Sequence, residues 1–205
     1  MIKVAYIDEE AGWQSTAYSA LSGNYNVTIP ETLPLKVSDI WGEIDDVQVA
    51  IIDFKLNGSG YLSYTGDDVV REIHKHNKHF PVIIITSYED NAIQECTEVQ
   101  TIRGKEMFSD PELLKKLCYM IDSAVAIYNK KKSECEDCIL DLQKKVAKGD
   151  VLSAKEAADR FDAELYLSEL DLDSSARANL INMGTSRELE EMLTLARTIV
   201  ANHKQ

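Results

Sequence analysis

Four polar positions in this chain stand where apolar runs stop, and together they could do phosphoryl chemistry. The run VQVAIID delivers Asp53 at the end of five apolar residues and one glutamine. IKVAYI ends in Asp8, Glu9 and Glu10, PVIIIT ends at Thr86 followed by Ser87, and a weaker run from Val99 to Arg103 is followed by Gly104 and Lys105. Short apolar runs of this kind read as buried parallel strands, and in open α/β sheets chemistry sits outside the carboxyl ends of such strands. Three carboxylates in one crevice repel each other unless a cation neutralises them. Oxygen donors with few nitrogen or sulfur ligands suit Mg²⁺. A carboxylate beside that ion can attack a phosphoryl group and form an acyl phosphate. The charge that spreads over the phosphoryl oxygens calls for a lysine and a hydroxyl, the types found at Lys105 and Thr86.

The elements that must position these groups alternate along residues 1–128. Strands are expected at Ile2–Ile7, Tyr25–Ile29, Val47–Ile52, Pro81–Thr86 and Val99–Arg103. Helices are expected at Trp13–Leu21, Val37–Ile44, Asp67–His76 and Glu89–Glu95, with a further helix from about residue 110. Five strands alternating with helices predict a doubly wound, five-stranded parallel sheet, α/β in class, with runs 47–52 and 82–85 at its centre. The loop KLNGSGYLSYTG after Asp53 is rich in turn residues.

The order acid pair, Asp, Thr, Lys at successive strand ends resembles the response-regulator receiver domain. The stretches that carry the resemblance are YIDEE, VAIIDFKL, TGDDVVREI, PVIIITS and IRGKE, spread over residues 2–128. It implies a flavodoxin-like fold in which Asp53 accepts a phosphoryl group from a histidine kinase or phosphotransfer protein. Asp8, Glu9, Asp53 and the main-chain carbonyl of Lys55 would hold Mg²⁺. Thr86 would contact the phosphoryl oxygens and relay the switch, and Lys105 would pair with the phosphoryl group. The chain departs from the family at Glu9, where an Asp is usual, and in the length of the loop after Asp53. It also has Asn57 and Glu106 where prolines are usual, and Ile102 where the switch aromatic is usual. The last departure implies that output leaves by another surface. Two other readings stay open: a phosphorylation-independent scaffold, and a Mg²⁺ phosphohydrolase of the haloacid-dehalogenase kind, which needs a second Asp where Lys55 stands.

The second part, residues 129–205, reads as all-helical. A stripe of Leu114, Leu117, Ile121, Ala124, Tyr128, Lys131, Cys135, Cys138 and Leu142 keeps 3-4 spacing over about four heptads. One long helix, about 110–147, is therefore expected to be shared between the two parts, with Leu113, Met120 and Ile127 facing the sheet. Gly149 ends it, Ser153 with Glu156 opens another helix, and shorter helices are expected at 173–183 and 185–200. A coiled coil or hairpin of this kind suits a homodimer or a downstream protein partner bound through helices 130–205. Cys135-x-x-Cys138 lies mid-helix without a second pair, which favours packing over zinc.

Lys and Arg number 22 against 35 Asp and Glu, a net charge of −13, which argues against nucleic-acid binding. No apolar run is long enough for a membrane span, and no secretory signal is recognisable. A cytoplasmic protein with reduced thiols is the expectation.

Overall fold

The computed structural model describes residues 1–44, 46–96 and 101–170, the side chain of Asn91 aside. Contacts divide the chain into two compact units, Met1–Glu134 and Cys135–Gln205.

The first unit is built on five parallel strands: β1 (Lys3–Ile7), β2 (Asn26–Thr28), β3 (Val49–Ile52), β4 (Val82–Thr86) and β5 (Ile102–Gly104). Their spatial order is β2-β1-β3-β4-β5, the flavodoxin-like order. Register is set by pairs such as Ile7 with Ile52, Ile52 with Ile84, and Thr86 with Gly104, which bring the C-terminal ends of β1, β3, β4 and β5 level. The three inner strands are apolar on both faces because both faces are covered. Ala5, Ile7, Ala50, Ile52 and Ile84 pack on one side with Val69, Val70 and Ile73 of α3 (Gly66–His76). The short α2 (Trp41–Ile44) and Ala92 of α4 (Glu89–Glu95) join that layer. Val4, Tyr6, Val49, Ile51, Ile83 and Ile85 pack on the other side with Ala17 and Leu21 of α1 (Ala11–Leu21) and with α5 (Pro111–Ala147). Each fully buried isoleucine here contributes roughly 1.5–3 kcal/mol relative to exposure.

Local signals agree with these elements. Thr65 and Asp68 form a reciprocal capping box on α3. Asp110 caps α5, its carboxylate accepting from the Glu112 and Leu113 amides at 2.8 and 3.0 Å, with Pro111 at the first helical position. The expected helix over Val37–Ile44 splits into a 3-10 turn, Val37–Asp39, followed by α2.

The face that α5 turns to the sheet differs from the expected one. Leu117, Ile121 and Val125 are the buried residues, whereas Ile127, expected on the sheet, is 69% exposed. Leu113 and Met120 are only half-buried at the edge of the layer. Heptad spacing drifts against a straight 3.6-residue helix, so a stripe that begins on the sheet at Leu113 has rotated off it by Ile127.

In the second unit α6 (Ala154–Ser168) folds back on the end of α5: Lys145 pairs with Glu156 at 2.6 Å, and Cys138 Sγ lies 3.9 Å from the Asp159 carbonyl. The turn between them uses Gly149 at φ +91°, with the Asp150 amide reaching back to the Lys145 carbonyl. Ser153 and Glu156 form the capping box expected for α6. Cys135 and Ala163 are buried. The helices expected at 173–183 and 185–200 lie outside the described residues.

One close approach ties the fold to the strand end at Asp53. The Gly66 amide donates to the Phe54 carbonyl at 2.8 Å. A Cβ on Gly66 would fall 2.3 Å from the Asp53 carbonyl oxygen and 2.9 Å from the Phe54 Cα. Both obstacles are backbone, so neither can yield cheaply. Gly66→Ala is expected to lower stability by about 1–3 kcal/mol, measured by urea denaturation. A loss within 0.5 kcal/mol, the ordinary scatter of surface changes, would show that the approach is not needed.

Candidate functional site

Parallel strands of matched length set four side chains at one edge of the sheet. Asp8 follows β1, Asp53 follows β3, Thr86 ends β4, and Lys105 opens the 3-10 turn after β5. All four are at most 2% exposed. The Lys105 ammonium lies 2.8 Å from Asp8 Oδ2 and 3.0 Å from Asp53 Oδ2, so one buried cation bridges two buried carboxylates.

The rest of the shell orients Asp8. The Tyr6 hydroxyl donates to Asp8 Oδ2 at 2.5 Å, and the Glu10 amide donates to Asp8 Oδ1 at 2.9 Å. Tyr6 precedes Asp8 by two residues, and the two share a side of the chain as strand alternation requires. The Tyr6 and Phe108 rings pack in a T-shaped arrangement, 5.3 Å between centroids. Trp13, in the first turn of α1, sets its ring 5.1 Å from the Lys105 ammonium, a cation–π contact. The Thr86 hydroxyl oxygen accepts from the Tyr88 amide at 3.2 Å, and the Tyr88 ring lies 4.3 Å from the Lys55 ammonium.

Burial sets the electrostatics. It pushes the Asp53 carboxyl above the usual range; Lys105 pulls it back, the Asp8 charge pushes it further up, and the net is upward. For Lys105, burial acts downward, but the hydrogen bonds and charges of Asp8 and Asp53 together outweigh it and hold the ammonium above its usual value. Tyr6 is held well above the ordinary phenol range, first by burial and then by the Asp8 charge. The Thr86 hydroxyl is close enough to favour ionised Asp53, yet no donor reaches hydrogen-bonding geometry at Asp53 Oδ1 among the described residues. A buried carboxylate oxygen without a partner is costly and calls for one.

Of the remaining expected ligands, Glu9 is engaged by the loop after Asp53, where the Ser59 amide reaches Oε1 at 3.0 Å and the Ser59 hydroxyl reaches Oε2 at 2.5 Å. Gly58 makes room for it: a Cβ there would lie 2.7 Å from Glu9 Oε1 and 3.8 Å from the Lys55 carbonyl oxygen. Asp8 and Asp53 are thus brought together, while Glu9 is committed elsewhere. No group of three metal-binding side chains is gathered among the described residues. Mg²⁺ is commonly held by one or two carboxylates and several waters. The Asp8 and Asp53 pair, with the orphaned Asp53 Oδ1, fits that demand without Glu9.

Four residues of this site were not expected from the sequence: Tyr6, Trp13, Ser59 and Tyr88. Alternation along β1 would have found Tyr6. The other three act through loop and helix-start geometry that carries no periodic signal. At the departures from the family, Ile102 is buried in the sheet's core layer, and no cis peptide occurs among the described residues, Glu106 included.

Solved structures share this architecture. The chain is similar to a response regulator receiver domain protein from Clostridium thermocellum, with 23% identity and a TM-score of 0.49 over 63% of this chain and 98% of that one. It is similar to the N-terminal domain of a response regulator/sensory box/GGDEF three-domain protein from Carboxydothermus hydrogenoformans, with 18% identity and a TM-score of 0.48 over 62% and 97%. A fusion carrying a yeast Spc42 trimeric coiled coil is similar at 16% identity and a TM-score of 0.51 over 71% and 94%. No family model matches the sequence, and no curated protein matches it. At these identities the likeness is one of fold. The N-terminal unit has a receiver-like fold, a five-stranded parallel sheet with helices on both faces, and helices follow it.

The raised Asp53 value has a consequence for stability. Between the ordinary carboxylate value of 3.8 and the raised native one, the folded protein holds a proton that the unfolded chain has lost. Stability from this group therefore falls as pH rises through that window and stays low above it. Asp53→Asn removes the ionisation and is expected to melt at higher temperature than the parent at pH 7. The gap should shrink as pH falls toward 4. A lower melting temperature for Asp53→Asn at pH 7 would contradict the direction of the shift.

Proposed function

We propose that residues 1–128 form a phosphoacceptor receiver and that Asp53 takes a phosphoryl group from a histidine kinase or phosphotransfer protein. The observation that supports this most is the buried Lys105 bridge between Asp8 and Asp53, with Asp53 Oδ1 left without a hydrogen-bond partner among the described residues. An Asp53 oxygen forms the new O–P bond as the donor's bond to phosphorus breaks, and the donor leaves with that electron pair. The Thr86 hydroxyl, whose oxygen already accepts from the Tyr88 amide, has its proton available for a phosphoryl oxygen. Lys105 uses two of its three donors on Asp8 and Asp53 and can turn one toward the added phosphoryl group. Asp8 and Asp53 would hold Mg²⁺, which when bound would neutralise charge on the acids and the phosphoryl oxygens.

In this reading residues 129–205 form the output, a helical module that binds a downstream protein or a second copy of the chain. The net charge of −13 favours a protein over nucleic acid as that partner. No helix among the described residues is long and apolar enough to cross a membrane. The engagement of Glu9 by Ser59 favours a second reading, a scaffold that works without phosphate.

Intact mass after incubation with acetyl phosphate and Mg²⁺ separates the two. The parent should gain a labile ~80 Da adduct, and Asp53→Asn should gain none. An adduct on Asp53→Asn would displace the site. No adduct on the parent, together with no Mg²⁺ binding, would favour the scaffold.

A further inference from the structure

We infer that the loop after Asp53 is a metal-responsive latch: Ser59 and a divalent cation compete for the Glu9 carboxylate. This rests on the receiver reading and deepens it. Glu9 directly follows Asp8, whose carboxylate sits in the Lys105 bridge, so its own carboxylate starts one residue from the charged centre. Yet both its oxygens are held by Ser59, through the backbone amide at 3.0 and 3.2 Å and the hydroxyl at 2.5 Å. Gly58 is the residue that lets the carboxylate lie against the loop, within reach of the Lys55 carbonyl side of the site. A cation at Asp8 and Asp53 attracts Glu9 more strongly than a neutral hydroxyl and amide can, because its charge is whole and only partly screened at this half-buried position. Ser59 holds the carboxylate against the loop, and no cluster of three carboxylates is gathered among the described residues, so Glu9 must leave Ser59 to join a cation at Asp8 and Asp53.

The loop beyond the latch is built to report that exchange. Tyr61 is 60% exposed, whereas Leu62 and Tyr64 are buried in the layer that covers α3, and the Tyr64 hydroxyl donates to the Pro34 carbonyl at 2.7 Å. The segment is thus fixed at both ends by the core, through Leu56 on one side and Leu62 and Tyr64 on the other, and Ser59 between them is held by Glu9. Releasing Glu9 frees the stretch around Ser59 without disturbing the core. That gives a route from the metal site to the surface which does not pass through position 102, where the aliphatic Ile102 is packed in the core.

The test is Mg²⁺ affinity by calorimetry on the full chain, for the parent, Ser59→Ala and Ser59→Thr. Ser59→Ala loses the hydroxyl and should bind Mg²⁺ about three- to tenfold more tightly, the size expected for removing one ordinary hydrogen bond. Ser59→Thr keeps both donors and should match the parent. Exchange of the Ser59 amide proton should speed up when Mg²⁺ is added to the parent. Equal affinity in the parent and Ser59→Ala, or an amide that stays protected with Mg²⁺ bound, overturns the latch while leaving the receiver reading intact. Absence of Mg²⁺ binding in all three proteins overturns the latch and the metal part of the receiver reading together.

Discussion

A single buried ammonium between two buried carboxylates governs this molecule. Removing two acids from water costs several kcal/mol per ion even after relaxation, and Lys105 is the cation that makes the arrangement tolerable. The compensation is incomplete. Asp53 remains above the ordinary carboxylate range, and one of its oxygens has no partner among the described residues. That residual imbalance suits the strand edge to a further cation, and in the proposed function it distinguishes Asp53 from the many acids on the surface.

Everything around the bridge serves its placement. Level strand ends bring residues from β1, β3, β4 and β5 to one edge, and isoleucines on both faces of the inner strands lock that register. Gly66 lets α3 start directly against the backbone that follows Asp53. Tyr6, Trp13 and the Glu10 amide fix the remaining directions of Asp8 and Lys105. These contacts form the floor of the site, while Glu9 and the Ser59 loop line its wall.

The floor was legible in the sequence because strand ends obey a simple rule. An apolar run that stops at Asp8, Asp53 or Thr86 shows where the polar side chain must sit, and Lys105 follows from the last run by the same logic. The wall was not legible. Nothing in KLNGSGYLSYTG indicates that Ser59 will meet Glu9, a residue fifty positions earlier, or that Trp13 will cover Lys105. Periodicity also misled at α5, where a heptad stripe and a 3.6-residue face coincide for two turns and then part. Leu117 and Ile121, read as part of the coiled-coil stripe, pack on the sheet together with Val125, and Ile127, read as facing the sheet, does not.

The central claim is that Lys105 and Asp53 act as one electrostatic unit, and a double-mutant cycle on stability tests it most directly. Lys105→Gln, Asp53→Asn and the double variant are compared with the parent by denaturant unfolding at pH 7. The bridge predicts that losing Lys105 is much more damaging when Asp53 is ionised than when it is asparagine, with a coupling of about 1–3 kcal/mol. Effects that add to within about 0.5 kcal/mol would mean that the two residues are energetically independent, and the account built on their pairing would be wrong.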